Sequence, residues 1–186
     1  MTLAKHAEAR RYDVISSVAP FYYKYSADEI RSYYFRLAEA VSLPMLVYYF
    51  PAFSGVSMGT GEIGKFLESD RFLGLKFTSN DFFLLEQSKT RFPSKIVYNG
   101  YDEMCLSGLA MGADGAIGST YNFMGDKFVR IYNEFHAGNV EKAQEIQNEA
   151  NAIIAEMIKY GVFACEKAVM THLGIDCGPC RRPFLP

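Results

Sequence analysis

Short apolar runs alternate with stretches of helical spacing along most of this chain. Residues 13–19 read Asp-Val-Ile-Ser-Ser-Val-Ala, an apolar run that predicts a buried strand ended by Pro20. Ser26 and Glu29 stand at capping-box spacing. They open a helix whose apolar positions Ile30, Tyr33, Tyr34, Leu37 and Val41 fall on one face. A second strand is predicted at 45–50, between Pro44 and Pro51, then a short helix at 60–69 and a third strand at 72–76. Asn80 can cap a helix running to about Thr90; residues 95–99 form a fourth strand and 102–111 a further helix. A short, glycine-flanked strand lies within 112–118. After it the pattern is helical, at about 123–136, 139–160 and 163–173, with breaks at Gly138-Asn139 and Gly161.

Strands that are each followed by a helix imply an α/β fold with a parallel sheet. A full eight-unit barrel takes about 250 residues. At 186 residues with a helical tail, the chain reads as an open sheet or as part of a barrel. Residues 2–10 read as the back end of a helix whose preceding strand is absent.

Composition narrows the function classes. Hydrophobic residues make up 49% of the chain, enough for a sizeable core, and the net charge is −2. That balance excludes a nucleic-acid or polybasic membrane surface. Apolar runs stay well short of the roughly 20 residues of a membrane span. The charged N-terminus is not a signal peptide, so a cytoplasmic protein is expected. Four cysteines in such a chain do not suggest a disulfide framework. Cys177-Gly-Pro-Cys180 matches a redox tetrapeptide, but it sits in a terminal loop rather than between a strand and a helix. Zinc would need further ligands, which the three scattered histidines do not supply.

In parallel β/α folds the chemistry sits at the C-terminal ends of the strands. Lys76 ends the apolar run Phe72-Leu-Gly-Leu. Desolvation at such a place disfavours an ammonium, and a neutral amine can attack a carbonyl to form an imine. A lysine there can also snorkel to solvent. Tyr48 ends another strand and could relay protons to a nearby amine, or be one more core aromatic among 13 tyrosines. Asp102 and Glu103 follow a strand end, where they could bind hydroxyl groups or cap the next helix. Gly115-Ala-Ile-Gly118-Ser119 lacks the Gly-Lys-Ser/Thr of a phosphate loop, so its glycines point to a tight turn or close backbone approach.

Taken in order, these residues resemble the N-acetylneuraminate lyases of the dihydrodipicolinate synthase superfamily. The resemblance is carried by Pro20-Phe-Tyr-Tyr23, Val47-Tyr48-x-x-Pro51-Ala52, Leu73-Gly-Leu-Lys-Phe-Thr-Ser79, Tyr98-Asn-Gly-Tyr-Asp-Glu103, Gly112-Ala-Asp-Gly-Ala-Ile-Gly-Ser-Thr-Tyr-Asn122 and Cys180-Arg-Arg-Pro-Phe184. It implies a (β/α)8 TIM-barrel family, represented here by about the last five strand–helix units plus C-terminal helices. Residues 1–122 would be a partial barrel, and 123–186 the last barrel helix and a helical extension. It implies a homotetramer and a Schiff-base aldolase that cleaves N-acetylneuraminate, a sialic acid, reversibly to N-acetylmannosamine and pyruvate. Metals and organic cofactors take no part in that chemistry. Lys76 would form the imine and Tyr48 relay the proton. Thr78, Gly100, Asp102, Glu103 and Ser119 would hold the sugar. Tyr22 matches a tyrosine that supports the relay, and Phe163 approaches the sugar tail.

Departures from the pattern matter. A Gly-Ser/Thr-Thr/Ser-Gly-Glu run that binds the pyruvate carboxylate is expected earlier in the family and is absent here. Tyr49 replaces a common asparagine, and Arg10-Arg11 stands where a turn glycine is often found. A truncated lyase without turnover is therefore the alternative reading. Dihydrodipicolinate synthases are a further one, although their arginine after the tyrosine is replaced here by Pro51-Ala-Phe53-Ser54-Gly55.

Overall fold

A computed structural model describes residues 1–184. Five parallel strands lie in the order β1 (Ile15–Val18), β2 (Met45–Tyr49), β3 (Phe72–Phe77), β4 (Ile96–Asn99) and β5 (Gly115–Ala116). Helix α1 (Thr2–Ala9) precedes the sheet. Arg11 makes the turn between them at φ 60, a left-handed conformation that explains why glycine suits this position. Helices α2 (Ala27–Glu39), α3 (Pro51–Ser54), α4 (Thr60–Leu67), α5 (Phe82–Arg91) and α6 (Cys105–Ala110) connect the strands, and α7 (Tyr121–His136), α8 (Val140–Tyr160) and α9 (Val162–His172) follow them.

Spatial order equals chain order, so the sheet has no point at which strand order reverses. A doubly wound sheet has such a point and a β/α barrel does not. The expected part-barrel is therefore the observed architecture.

Local chemistry accounts for most element ends. Ser26 accepts the Glu29 amide at 3.3 Å and Glu29 accepts the Ser26 amide at 2.8 Å, which is the reciprocal box that the spacing predicts. At the far end of α2, the Arg71 guanidinium donates to the carbonyls of Ala38, Val41, Ser42 and Leu43, satisfying groups that a helix end leaves open. Helix α5 is capped by Asp81, whose carboxylate accepts the Leu84 amide at 3.0 Å, and not by Asn80. Pro51 does stop β2, but it also opens α3, a turn that was not predicted; proline suits a first helical position because no amide partner is needed there. The predicted 102–111 helix starts as a 3-10 turn at Asp102–Met104.

Two apolar clusters support this frame. One sandwiches Met45, Val47, Phe72, Leu75 and Phe77 of the sheet against Ile30, Tyr34, Ile63 and Phe66 of the helices. The other joins α6, α7 and α8 through Leu109, Phe128, Ile131 and Ile146. Strand register then decides which side chains face away from the helices. Val47 pairs with Leu75 and Tyr48 with Lys76, because a register shift between Met45 and Leu46 leaves Leu73 as an extra residue in β3. Phe72, Leu75 and Phe77 thus all reach the helix layer, and Gly74 and Lys76 share the opposite face with Leu46 and Tyr48. Gly74 is obligatory there, since a Cβ would lie 1.7 Å from the Ile96 carbonyl oxygen.

Candidate active site at the strand ends

The C-terminal ends of β2, β3 and β4 and the start of α7 form one wall of a cavity of about 460 Å3. Lys76 lines it, and its Nζ lies 4.1 Å from the centroid of the Tyr48 ring. That ring stacks on Phe50 at 5.9 Å with an interplanar angle of 11°, so its plane is set by packing. Burial, with Glu103 and Tyr48 nearby, raises the pKa of the neighbouring Tyr101 phenol.

All five residues expected to hold hydroxyl groups line the same space: Thr78, Gly100, Asp102, Glu103 and Ser119. The Thr78 hydroxyl is buried and, among the described residues, has no hydrogen-bond partner. Gly100 makes room for it, since a Cβ there would fall 1.9 Å from Thr78 Oγ1. The Asp102 carboxylate does not cap the turn that it begins. One oxygen, Oδ2, accepts the Thr120 amide at 2.9 Å and the Thr120 hydroxyl at 2.5 Å, tying β4 to the start of α7. Its other oxygen sits against Gly118, where a Cβ would lie 1.6 Å away. Helix α8 clamps the same turn from outside. Gln147 donates to the Asp102 carbonyl at 3.2 Å and accepts the Leu106 amide at 3.0 Å, and Asn151 donates to the Glu103 carbonyl at 3.0 Å.

Tyr22 is not brought to the cavity. It is 83% exposed beyond β1, packed edge-on against Tyr23. Phe163 does line the cavity, beside Val162. Ile154 and Ile158 of α8 complete the apolar side. These two escaped sequence reasoning; their i, i+4 spacing is the one signal they carry. Glu166, on α9, is not among the residues that line the cavity. Burial raises the pKa of its carboxyl and the Asp102 charge adds to this, while the Ser119 hydroxyl opposes it.

Other features look structural. The replacement Tyr49 is buried, and its hydroxyl bridges the Met58 amide and carbonyl at 3.2 and 3.3 Å. Cys177 and Cys180 are free thiols beyond α9. A second cavity of about 320 Å3 between α6 and α7 is apolar apart from Cys105, Tyr121 and Tyr132, and lacks converging charged groups. Among the described residues, no helix is long and apolar enough to cross a membrane.

A sequentially ordered parallel sheet with a cavity at the C-terminal strand ends defines a protein of the β/α-barrel class. Comparison with known proteins specifies it further. A family model described as the dihydrodipicolinate synthetase family matches residues 1–186, and the chain belongs to that family. An N-acetylneuraminate lyase of Rhizobium meliloti is 46% identical over 185 residues, covering 99% of this chain and 61% of the relative. The structure of CdNal from Clostridium difficile in complex with mannosamine superposes with a TM-score of 0.96 at 35% identity, covering 99% of this chain and 63% of that one. The N-acetylneuraminate lyase of Fusobacterium nucleatum complexed with pyruvate gives a TM-score of 0.93 at 34% identity, covering 100% and 62%. The chain thus spans about three-fifths of the relatives it matches.

Proposed function

We propose that this chain carries the imine site of a reversible N-acetylneuraminate lyase. The observation that carries the reading is the placement of Lys76 Nζ over the Tyr48 ring in a cavity whose rim presents Thr78, Asp102, Glu103 and Ser119. The lysine amine attacks the keto carbon of the open-chain sugar acid, and loss of water gives a protonated imine. Tyr48 takes the proton from the hydroxyl on the fourth carbon as the bond between the third and fourth carbons breaks. The electron pair enters the imine, leaving an enamine of pyruvate and releasing N-acetylmannosamine. Protonation of the enamine carbon and addition of water then free pyruvate and the lysine. This route uses no cofactor beyond the covalent imine.

The names of the relatives support this substrate class, as do the sugar and pyruvate bound in two of them. A dihydrodipicolinate synthase reading has less support, because no arginine lines the cavity among the described residues and α3 occupies the stretch after Tyr48. A cytoplasmic homotetramer belongs to the same proposal, testable by light scattering on the purified chain. Tyr22, exposed in the single chain, joins a relay only where a neighbouring copy brings it to a cavity. The decisive experiment is borohydride reduction in the presence of pyruvate, followed by peptide mapping. A reduced three-carbon adduct on Lys76 is expected. A folded chain that acquires none refutes the imine site.

A further inference from the structure

One stripe of α8 serves the cavity in two ways. Gln147, Asn151, Ile154 and Ile158 follow one another at spacings of four, three and four residues, on a single helix face. Ile154 and Ile158 line the cavity. Gln147 and Asn151 instead hold the backbone of the turn that presents Asp102 and Glu103 to it. Gln147 is 3% exposed, and both ends of its amide are engaged. Oε1 accepts the Leu106 amide at 3.0 Å, and Nε2 donates to the Asp102 carbonyl at 3.2 Å and to Asn151 Oδ1 at 2.8 Å. Asn151 Nδ2 in turn donates to the Glu103 carbonyl at 3.0 Å. Asp102–Met104 is a single 3-10 turn, a geometry whose own hydrogen bonds are poor, so tethers from another helix matter to it. Lys76 is placed separately, by a strand that β2 and β4 flank.

We propose that Gln147 and Asn151 are positioning residues, which set affinity for the sugar half of the substrate by holding the Asp102–Glu103 turn and leave imine formation at Lys76 alone. This rests on the reading of Asp102 and Glu103 as residues that hold sugar. Among the described residues that line the cavity neither amide appears, so their effect passes through the turn. Without the tethers, only a fraction of molecules would present both side chains in the binding arrangement, and apparent affinity falls by that fraction. The pyruvate half meets Lys76 and Tyr48, whose positions come from sheet register and ring stacking. Substitutions on one face of α8 therefore separate sugar affinity from imine formation.

The test uses the full chain and the variants N151D, Q147L and I131V. Binding of N-acetylmannosamine is measured by calorimetric titration, in parallel with the rate of borohydride trapping of pyruvate. N151D keeps the oxygen that accepts from Gln147 and removes the donor to Glu103, and is expected to weaken sugar binding about fivefold. Q147L removes the bonds to Asp102 and Leu106 together and is expected to weaken it about tenfold or more. Trapping should stay within about twofold of the parent in both. Should Q147L fail to fold, N151D, at a half-buried position, carries the test alone. I131V removes one methyl from the core of α7 and lowers stability without changing a group bonded to the turn, so it should alter neither reading. A purely structural role would make I131V behave like the two α8 variants. Unchanged sugar binding in N151D, an I131V loss equal to that of N151D, trapping that falls in step with sugar binding, or no sugar binding by the parent chain would each overturn the inference. A chain that traps pyruvate while N151D binds sugar as the parent does keeps the imine reading and loses this one. A chain that traps none, while N151D and Q147L show their losses, does the reverse.

Discussion

Asp102 joins the end of β4 to the start of α7, and removing its carboxylate should loosen the cavity and the fold together. Its Oδ2 accepts two hydrogen bonds from Thr120, at 2.9 and 2.5 Å, and both residues are buried. Hydrogen bonds to a charged acceptor contribute about 1.5–3 kcal/mol each, and a buried amide left without a partner costs about 1–3 kcal/mol. These contributions overlap, so D102A should destabilise by about 3–5 kcal/mol. T120V removes the hydroxyl and keeps the amide bond, so it should cost about half of that. D102N keeps one acceptor oxygen and should fall between T120V and D102A. For a chain of this size each kcal/mol lowers the melting temperature by about 2–4 °C. Thermal unfolding followed by circular dichroism should therefore place D102A about 6–20 °C below the parent. D102A/T120V should add less than about 0.5 kcal/mol to D102A, because the second change removes a donor that has already lost its acceptor. A D102A melting point within 2 °C of the parent would refute the argument, as would fully additive losses.

Replacing Tyr48 by Phe keeps the ring under Lys76 and removes only the hydroxyl. Y48F should leave the melting temperature nearly unchanged and slow turnover by about 10²–10⁴; turnover at the parent rate would remove Tyr48 from the relay. G74A should be among the most damaging single substitutions, costing upwards of about 3 kcal/mol in urea denaturation, because its Cβ would meet the Ile96 backbone at 1.7 Å and neither strand can yield. Burial pushes the Cys105 thiol up to about 11. Below that pH it stays protonated, with roughly one part in a thousand as thiolate at pH 8, so iodoacetamide should alkylate exposed Cys177 and spare Cys105 in the native chain. Peptide mapping would show this, and equal labelling of the two would contradict the packing around α6.

Much of the fold was legible in local signals. Ser26 and Glu29 announced their helix, the prolines and glycines marked the breaks, and strand followed by helix gave a parallel sheet. The site was legible in part, because strand ends converge whenever the sheet is parallel. Five hydroxyl-binding candidates therefore met at one cavity with Lys76 and Tyr48. What escaped were relations between distant residues. Nothing near Asp102 in the chain reveals that its partner is Thr120, so a helix cap stood as one of its two uses. Ile154 and Ile158 reach the cavity only because α8 folds back over the strand ends. Asp81 outcompeted Asn80 as the α5 cap, since Asn80 lies one residue too early to reach the Leu84 amide.

The extra residue in β3 sets the phase of the strand. Leu73 lies three residues, or about 10 Å, below Lys76. Pairing it with Leu46 instead, with no bulge, would leave Tyr48 level with Leu75 and send the lysine toward the helix layer. The strand therefore acts as a ruler whose zero is fixed at the end away from the cavity. An added residue near Phe72 should be as harmful to chemistry as a change beside the lysine, and substitutions of Leu73 that keep the bulge should be tolerated.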